Sequence, residues 1–194
     1  PTVECRVELE DEAIGIASVP SGASVGKYEA VELRDNDPTR FKGMGVLKAV
    51  ANINEIISPQ LVGMEARDQL AIDNTLIKLD GHPNKSKLGA NATLAVSQGV
   101  CEAEAASEKV SNYIHVSHLY GLKPQDFKMP IPTFNLINGG KHGAGNLDFQ
   151  EFHIIPSIKK TYAEALRMAE EIYQAGKEVL IQQGAIHSVG DEGG

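Results

Sequence analysis

The chain has 194 residues, 42% hydrophobic and 23% charged, a balance that excludes a disordered tail and suffices to bury roughly 70% of the surface an unfolded chain of this size exposes. Eighteen Lys and Arg against twenty-six Asp and Glu leave a formal charge of −8, and no basic run could neutralise a row of phosphates, which argues against a nucleic-acid partner. No apolar run approaches the ~20 residues of a membrane span, and the start at Pro1-Thr2-Val3-Glu4 lacks the basic and apolar regions of a signal peptide, so the sequence predicts a soluble, cytoplasmic protein.

Val3, Cys5, Val7 and Leu9 alternate with Glu4, Arg6, Glu8 and Glu10, the pattern of a strand with one solvated face. A turn at Asp11-Glu12 leads to a second apolar run, Ala13 to Val19, and Tyr28 to Arg34 is a weaker third, which together predict an antiparallel meander. The connection between the second and third runs, Pro20-Ser21-Gly22-Ala23-Ser24-Val25-Gly26-Lys27, is longer than a hairpin needs. Val46, Val50, Ile53 and Ile57 then recur at helical spacing until Pro59 stops the helix soon after Ser58. Ala66 to Leu79 is a second helix ended by Asp80-Gly81. Asn91 to Lys109, dense in Ala, Val and Gly99, is a third, whose small residues admit close neighbours and mark it as central. Tyr113 to Tyr120 is a short fourth. The polar stretch Lys123-Pro124-Gln125-Asp126 is the best domain boundary, dividing the chain at 1–125 and 126–194.

Beyond it strands and helix alternate: Ile131 to Ile137, Phe149 to Ile155, the amphipathic helix Tyr162 to Gln183, then Ala185 to Val189. That is how a β/α barrel begins, although the stretch to Gly194 is far short of the ~250 residues of a whole one. One end lies inside an alternating pattern and the other at a polar glycine turn, so both read as cuts through a larger molecule. Cys5 and Cys101 lie far apart, which points to two buried thiols rather than a disulfide or a metal pair.

Three polar clusters fall at the carboxyl ends of predicted strands: Asn138-Gly139-Gly140-Lys141-His142, Gln150-Glu151 and Asp191-Glu192-Gly193-Gly194. In a β/α barrel that edge gathers the catalytic groups, so the clusters are expected to share one site. Glu151 interrupts an apolar strand, and two readings stand: an inward carboxylate that must be paired, metal-bound or protonated, or a residue on a solvated face. His142 is equally open between a ligand-approaching glycine loop and an exposed turn. His82, His115, His118, His153 and His187 form no ligand set and are taken as structural, His115 and His118 having no carboxylate or Cys in the sequence around them that completes a site. No GxxxxGK[ST], GxGxxG or GxSxG pattern is present, which leaves nucleotide and serine-hydrolase chemistry without support. Ser21 and Ser24 suit a lid or a metal-capping hydroxyl better than a nucleophile.

These residues resemble the enolase family. The matching strings are Pro1-Thr2-Val3-Glu4, Pro20-Ser21-Gly22-Ala23-Ser24, Glu29-Ala30 with Leu33-Arg34-Asp35, Gly45 to Val50, Leu79-Asp80-Gly81 with Asn84 to Ala92, Asn138-Gly139-Gly140, Gln150-Glu151-Phe152 and Gly190 to Gly194, in family order from end to end. The resemblance implies an α+β amino-terminal domain, an antiparallel meander plus helices, followed by the first elements of an enolase-type β/α barrel. It also implies a phosphopyruvate hydratase, a carbon-oxygen lyase (EC 4.2.1.11) that interconverts 2-phosphoglycerate and phosphoenolpyruvate in glycolysis. Two Mg2+ ions would stabilise the enolate formed when a lysine removes the weakly acidic proton beside the carboxylate. On these positions Ser24 resembles the lid residue that closes on substrate and ligates the second Mg2+, and His142 the histidine near the phosphate. Glu192 resembles the general acid for the departing hydroxyl, Glu151 its partner and a substrate contact, and Gln150 a neighbouring substrate or water contact. Two carboxylates beside a dianionic substrate would raise one pKa and keep a proton available.

Val25 stands where the family usually has Thr, and Lys141 to Gly145 is a less common version of the histidine loop, changes that leave the chemical groups in place. The family's three carboxylates for the first Mg2+, its base lysine and the lysine pairing with the substrate carboxylate come from later strands and are absent here, as is the first strand of its amino-terminal domain. The expectation is thus a partial sequence of an active enolase, a homodimer or an assembly of dimers. The alternative is a non-catalytic truncated relative or a surface-binding protein, with a cell-surface or secreted fraction that the sequence leaves open.

Overall fold

The computed structural model describes every residue except Ala23, Ser24, Ala144, Asn146, Ile186 and Asp191, and all side chains of the others but that of Pro124. Two compact units divide the chain, Pro1–Phe127 and Lys128–Gly194.

In the first unit the alternating charges make β1 (Val3–Glu8), which pairs antiparallel with β2 (Ile14–Val19) in the register Val3↔Val19, Cys5↔Ala17, Val7↔Gly15. Val3, Cys5 and Ala17 face the core, and Glu4, Arg6 and Glu8 face water. Their shared face lies on α4 (Ala90–Ser107), the central helix the small residues predict, so closely that a Cβ on Gly15 would sit 2.2 Å from the Gly99 carbonyl oxygen. α4 also meets α3 (Gln69–Asp80) and α5 (Asn112–Leu119). Asp68 caps α3 by accepting the Ala71 N–H at 3.0 Å, and Gly81 closes it with φ 74°. Val3, Cys5, Ile53, Ile57, Ile72, Leu76, Leu88 and Val96 are among the side chains that fill the core.

Two expectations change here. The third run does not become a strand, so the meander is a two-stranded hairpin among the described residues. Its backbone is paired instead by a side chain: Leu33 N–H donates to Asn91 Oδ1 at 3.0 Å and Asn91 Nδ2 donates to the Leu33 carbonyl at 3.1 Å, while Val31 bonds Asn84 and Ala90. A buried amide thus does the work of a neighbouring strand. Nor does Pro59 stop the helix after Ser58. α1 (Leu47–Ala51) widens into a π turn (Asn52–Ile57), where Ser58 N–H reaches back to Ile53, and continues as α2 (Ser58–Leu61) with Pro59 in its first turn. The wider turn carries the chain past a residue that would clash in a regular helix and lacks a donor there.

In the second unit β3 (Phe134–Asn138) pairs with β4 (Glu151–Ile154), and α6 (Tyr162–Gln182) follows. A reciprocal cap starts α6, Thr161 Oγ1 accepting from Glu164 N–H while the Glu164 carboxylate accepts from Thr161 N–H, and Ala165 and Ala169 are buried. The two strands are antiparallel, unlike the parallel pairing of a simple β/α alternation, with a bulge between Asn135 and Ile137. Ala185 to Val189 forms no strand among its described residues. α6 instead closes at Gly184 with φ 66° and an Ala185 N–H bond to Leu180. No described helix is long and apolar enough to cross a membrane.

Candidate active site

The bulge in β3 builds the site. Residues three apart on a regular strand point to opposite faces, but the extra residue between Asn135 and Ile137 returns Asn135 and Asn138 to one face, where Asn135 Nδ2 donates to Asn138 Oδ1 at 3.1 Å. Both amides then hold the carboxyl-terminal turn. Asn135 Nδ2 donates to the Glu192 carbonyl at 3.2 Å and Asn138 Nδ2 to the Glu192 carboxylate at 3.4 Å. The turn is closed by Gly190 N–H on the Gly194 carbonyl at 2.8 Å, and a Cβ on Gly194 would collide with Asn138 Oδ1.

After Asn138 the backbone turns sharply. Gly139 N–H donates to the Gln150 carbonyl at 2.7 Å, and a Cβ on Gly139 would lie 2.0 Å from the Phe149 carbonyl oxygen, so only glycine lets the two strand ends approach this closely. The short turn Gly140–His142 then points His142 inward: its side chain is 7% exposed, and Nε2 lies 3.6 Å from Glu192 Oε1 with no hydrogen-bond partner among the described residues. A buried imidazole nitrogen without a partner beside a carboxylate is a group set to bind something else. This favours the ligand-approaching reading over the exposed turn.

Asn138 faces Glu151 in the ladder. The Gln150-Glu151 cluster therefore lies at the amino end of β4, not at a carboxyl end as the sequence predicts, and antiparallel pairing carries it to the same edge as the end of β3. Glu151 fits neither sequence reading alone: its side chain is 33% exposed and its Oε2 lies 2.8 Å from His153 Nε2. Gln150 contributes its backbone carbonyl to the turn and exposes its side chain. The structure thus brings together His142, Glu192 and the two asparagines, with Glu151 opposite Asn138. Ser24, like Asp191, lies outside the described residues.

Sequence reasoning placed Asn138 in a polar cluster without giving it a role, and missed Asn135 and His153. The alternation Glu151-Phe152-His153 carried a signal for the last, since residues two apart on a strand share a face; the bulge that unites the asparagines leaves no such mark. His115 and His118 are also not without a carboxylate, because Glu108 lies 3.1 and 3.6 Å from their Nδ1 atoms, and the hydrogen bond from His115 with the charges of both rings holds the Glu108 carboxyl below its ordinary range. Cys5 is buried and Cys101 half-buried, both free, and burial raises both thiols. No three His, Cys, Asp or Glu side chains among the described residues are grouped to hold a metal ion. The described residues therefore do not by themselves fit a Mg2+ site.

The family profile described as "Enolase, N-terminal domain" matches residues 1–116, and that described as "Enolase, C-terminal TIM barrel domain" matches residues 126–194. An enolase of Elusimicrobium minutum (strain Pei191) is 50% identical over 194 residues, a match that takes in all of this chain and 45% of that protein. The chain therefore spans about half the length of its curated relative. With both family domains matched in order and half of the residues shared along its whole length, this chain belongs to the enolase family.

Proposed function

We propose that the protein is a phosphopyruvate hydratase, and that this chain supplies the proton-donating side of its site. In this reading 2-phosphoglycerate loses the proton beside its carboxylate to a base that none of the described residues provides. The electron pair left behind forms the C=C bond as the C3–O bond breaks, and the Glu192 carboxyl gives its proton to the oxygen, which leaves as water. Glu151 lies alongside, His142 turns its Nε2 to the substrate phosphate, and Gln150 contacts substrate or an ordered water. Mg2+ would supply positive charge to the substrate carboxylate, with Ser24 the one ligand assigned to this chain. The reading places the reaction in glycolysis, in the cytoplasm, in a homodimer or an assembly of dimers.

The observation that carries the reading is the buried His142 Nε2, without a hydrogen-bond partner among the described residues, beside Glu192, which Asn135 and Asn138 hold. The test follows phosphoenolpyruvate absorbance when 2-phosphoglycerate is added to the purified full-length protein in Mg2+. Turnover that stops with chelator is expected, together with a rise in KM on His142→Ala. No turnover under any of these conditions would overturn the assignment.

A further inference from the structure

Asn135 has no role in the reaction as described, yet both hydrogen bonds of its side chain lead to Glu192. Its Nδ2 donates to the Glu192 carbonyl at 3.2 Å and to Asn138 Oδ1 at 3.1 Å, and Asn138 Nδ2 donates in turn to Glu192 Oε2 at 3.4 Å. The main chain and the side chain of one residue are thus tied together by two amides from one strand. A side-chain amide can face either way, and neighbours that can only accept decide between its two faces. The Glu192 carbonyl is such a neighbour. A reversed Asn135 would set its oxygen against that carbonyl and against Asn138 Oδ1. Reversing Asn138 as well would restore the bond between the amides, but it would leave Asn135 Oδ1 against the carbonyl and take the Asn138 donor away from Glu192 Oε2. The observed orientation is the one that forms all three bonds, although it leaves Asn135 Oδ1 buried without a hydrogen-bond partner among the described residues. The bulge in β3 makes the arrangement possible by putting both amides on one face, and a side chain at Gly194 would crowd both amide oxygens.

We propose that Asn135 is a positioning residue for the dehydration: anchored on the Glu192 carbonyl, it fixes the face of the Asn138 amide, so that Asn138 presents a donor to Glu192 Oε2 and holds the carboxyl group in one orientation, with Oε1 turned to His142. The inference rests on the reading under Proposed function, in which the Glu192 carboxyl reaches the leaving hydroxyl. Its physical basis is geometric. A carboxyl group with one oxygen pinned cannot turn about its last bond, and a reacting group displaced by about 1 Å loses on the order of 100-fold in rate.

The test measures kcat and KM for 2-phosphoglycerate with Mg2+ in the full-length wild type, Asn135→Ala, Asn138→Ala and the double variant, with urea midpoints alongside. We expect kcat to fall about 10-fold in each single variant with KM within about twofold, and the double variant to lie within about twofold of the slower single one, because the two amides act as one relay. Two factors that multiply in the double variant overturn the inference and leave the enolase reading intact. A lowered urea midpoint with kcat unchanged overturns it as well, since the amides would then serve the fold alone. If an alanine variant does not fold, leucine takes its place at that position and the same comparison decides. A wild type without turnover removes the enolase reading, and the inference with it.

Discussion

At the scale of single residues, most of the work in this chain is done by side chains that take the place of backbone. Asn91 pairs both polar groups of Leu33, and Asn135 and Asn138 hold the turn that carries Glu192. Asp35 does the same for the first helix, accepting from Leu47 N–H at 3.0 Å and Lys48 N–H at 2.9 Å. Those donors, the Lys48 amide foremost, hold the Asp35 carboxyl below its ordinary range. The sign follows from the ionised form being the one that caps. A carboxyl with a lowered native pKa stabilises the fold fully above about pH 5, and the benefit drains away as pH falls through about 4 toward the native value. Urea midpoints measured between pH 3 and 7 should therefore fall steeply below about pH 4.5 in the wild type and less steeply in Asp35→Asn. Parallel curves for the two would show that the cap contributes nothing.

The elements show where sequence and fold part company. The β1–β2 hairpin, α3 with its Gly81 stop, the central α4 and the long α6 are all written in local periodicity and in stop signals, and the structure places them within three residues of the pattern, α3 starting at Gln69 after its Asp68 cap rather than at Ala66. What local pattern leaves out is pairing. Tyr28 to Arg34 and Ala185 to Val189 carry strand-like composition but form no strand among their described residues, and the antiparallel join of β3 and β4 depends on the sharp turn at Gly139. The hairpin also rests on one atom that composition alone would not single out. Gly15 lets β2 lie against the α4 backbone, and because the obstructing atoms at Gly99 and Ala103 are main chain, they cannot rotate away. Gly15→Ala should cost about 3 kcal/mol in urea unfolding, at the upper end of ordinary overpacking. A loss under about 0.5 kcal/mol would mean that the hairpin shifts freely and that the close approach is not fixed.

For the molecule as a whole, the two units divide the chemistry. The loop that resembles the family's lid belongs to the first, anchored before Ala23 by Gly22 N–H on Glu32 and by Arg34, which bonds Ser21, Glu32 and the Met44 carbonyl. The proposed acid, its partner carboxylate and the histidine belong to the second. The three motif clusters were readable because each is short, polar and bounded by apolar runs, and their convergence was expected from barrel topology; the bulge that brings Asn135 and Asn138 to one face has no local signature. The central claim, that Glu192 donates the proton on which the leaving hydroxyl depends, separates two halves of one reaction. Proton removal beside the carboxylate can be followed by NMR as exchange of that hydrogen in deuterated water, and dehydration as phosphoenolpyruvate formed in the same tube. With Glu192→Gln in the full-length protein and Mg2+, dehydration should fall at least about 100-fold while the exchange continues at a measurable rate. Loss of both in equal measure, in a variant that still folds, would place Glu192 in binding or in proton removal and contradict the account.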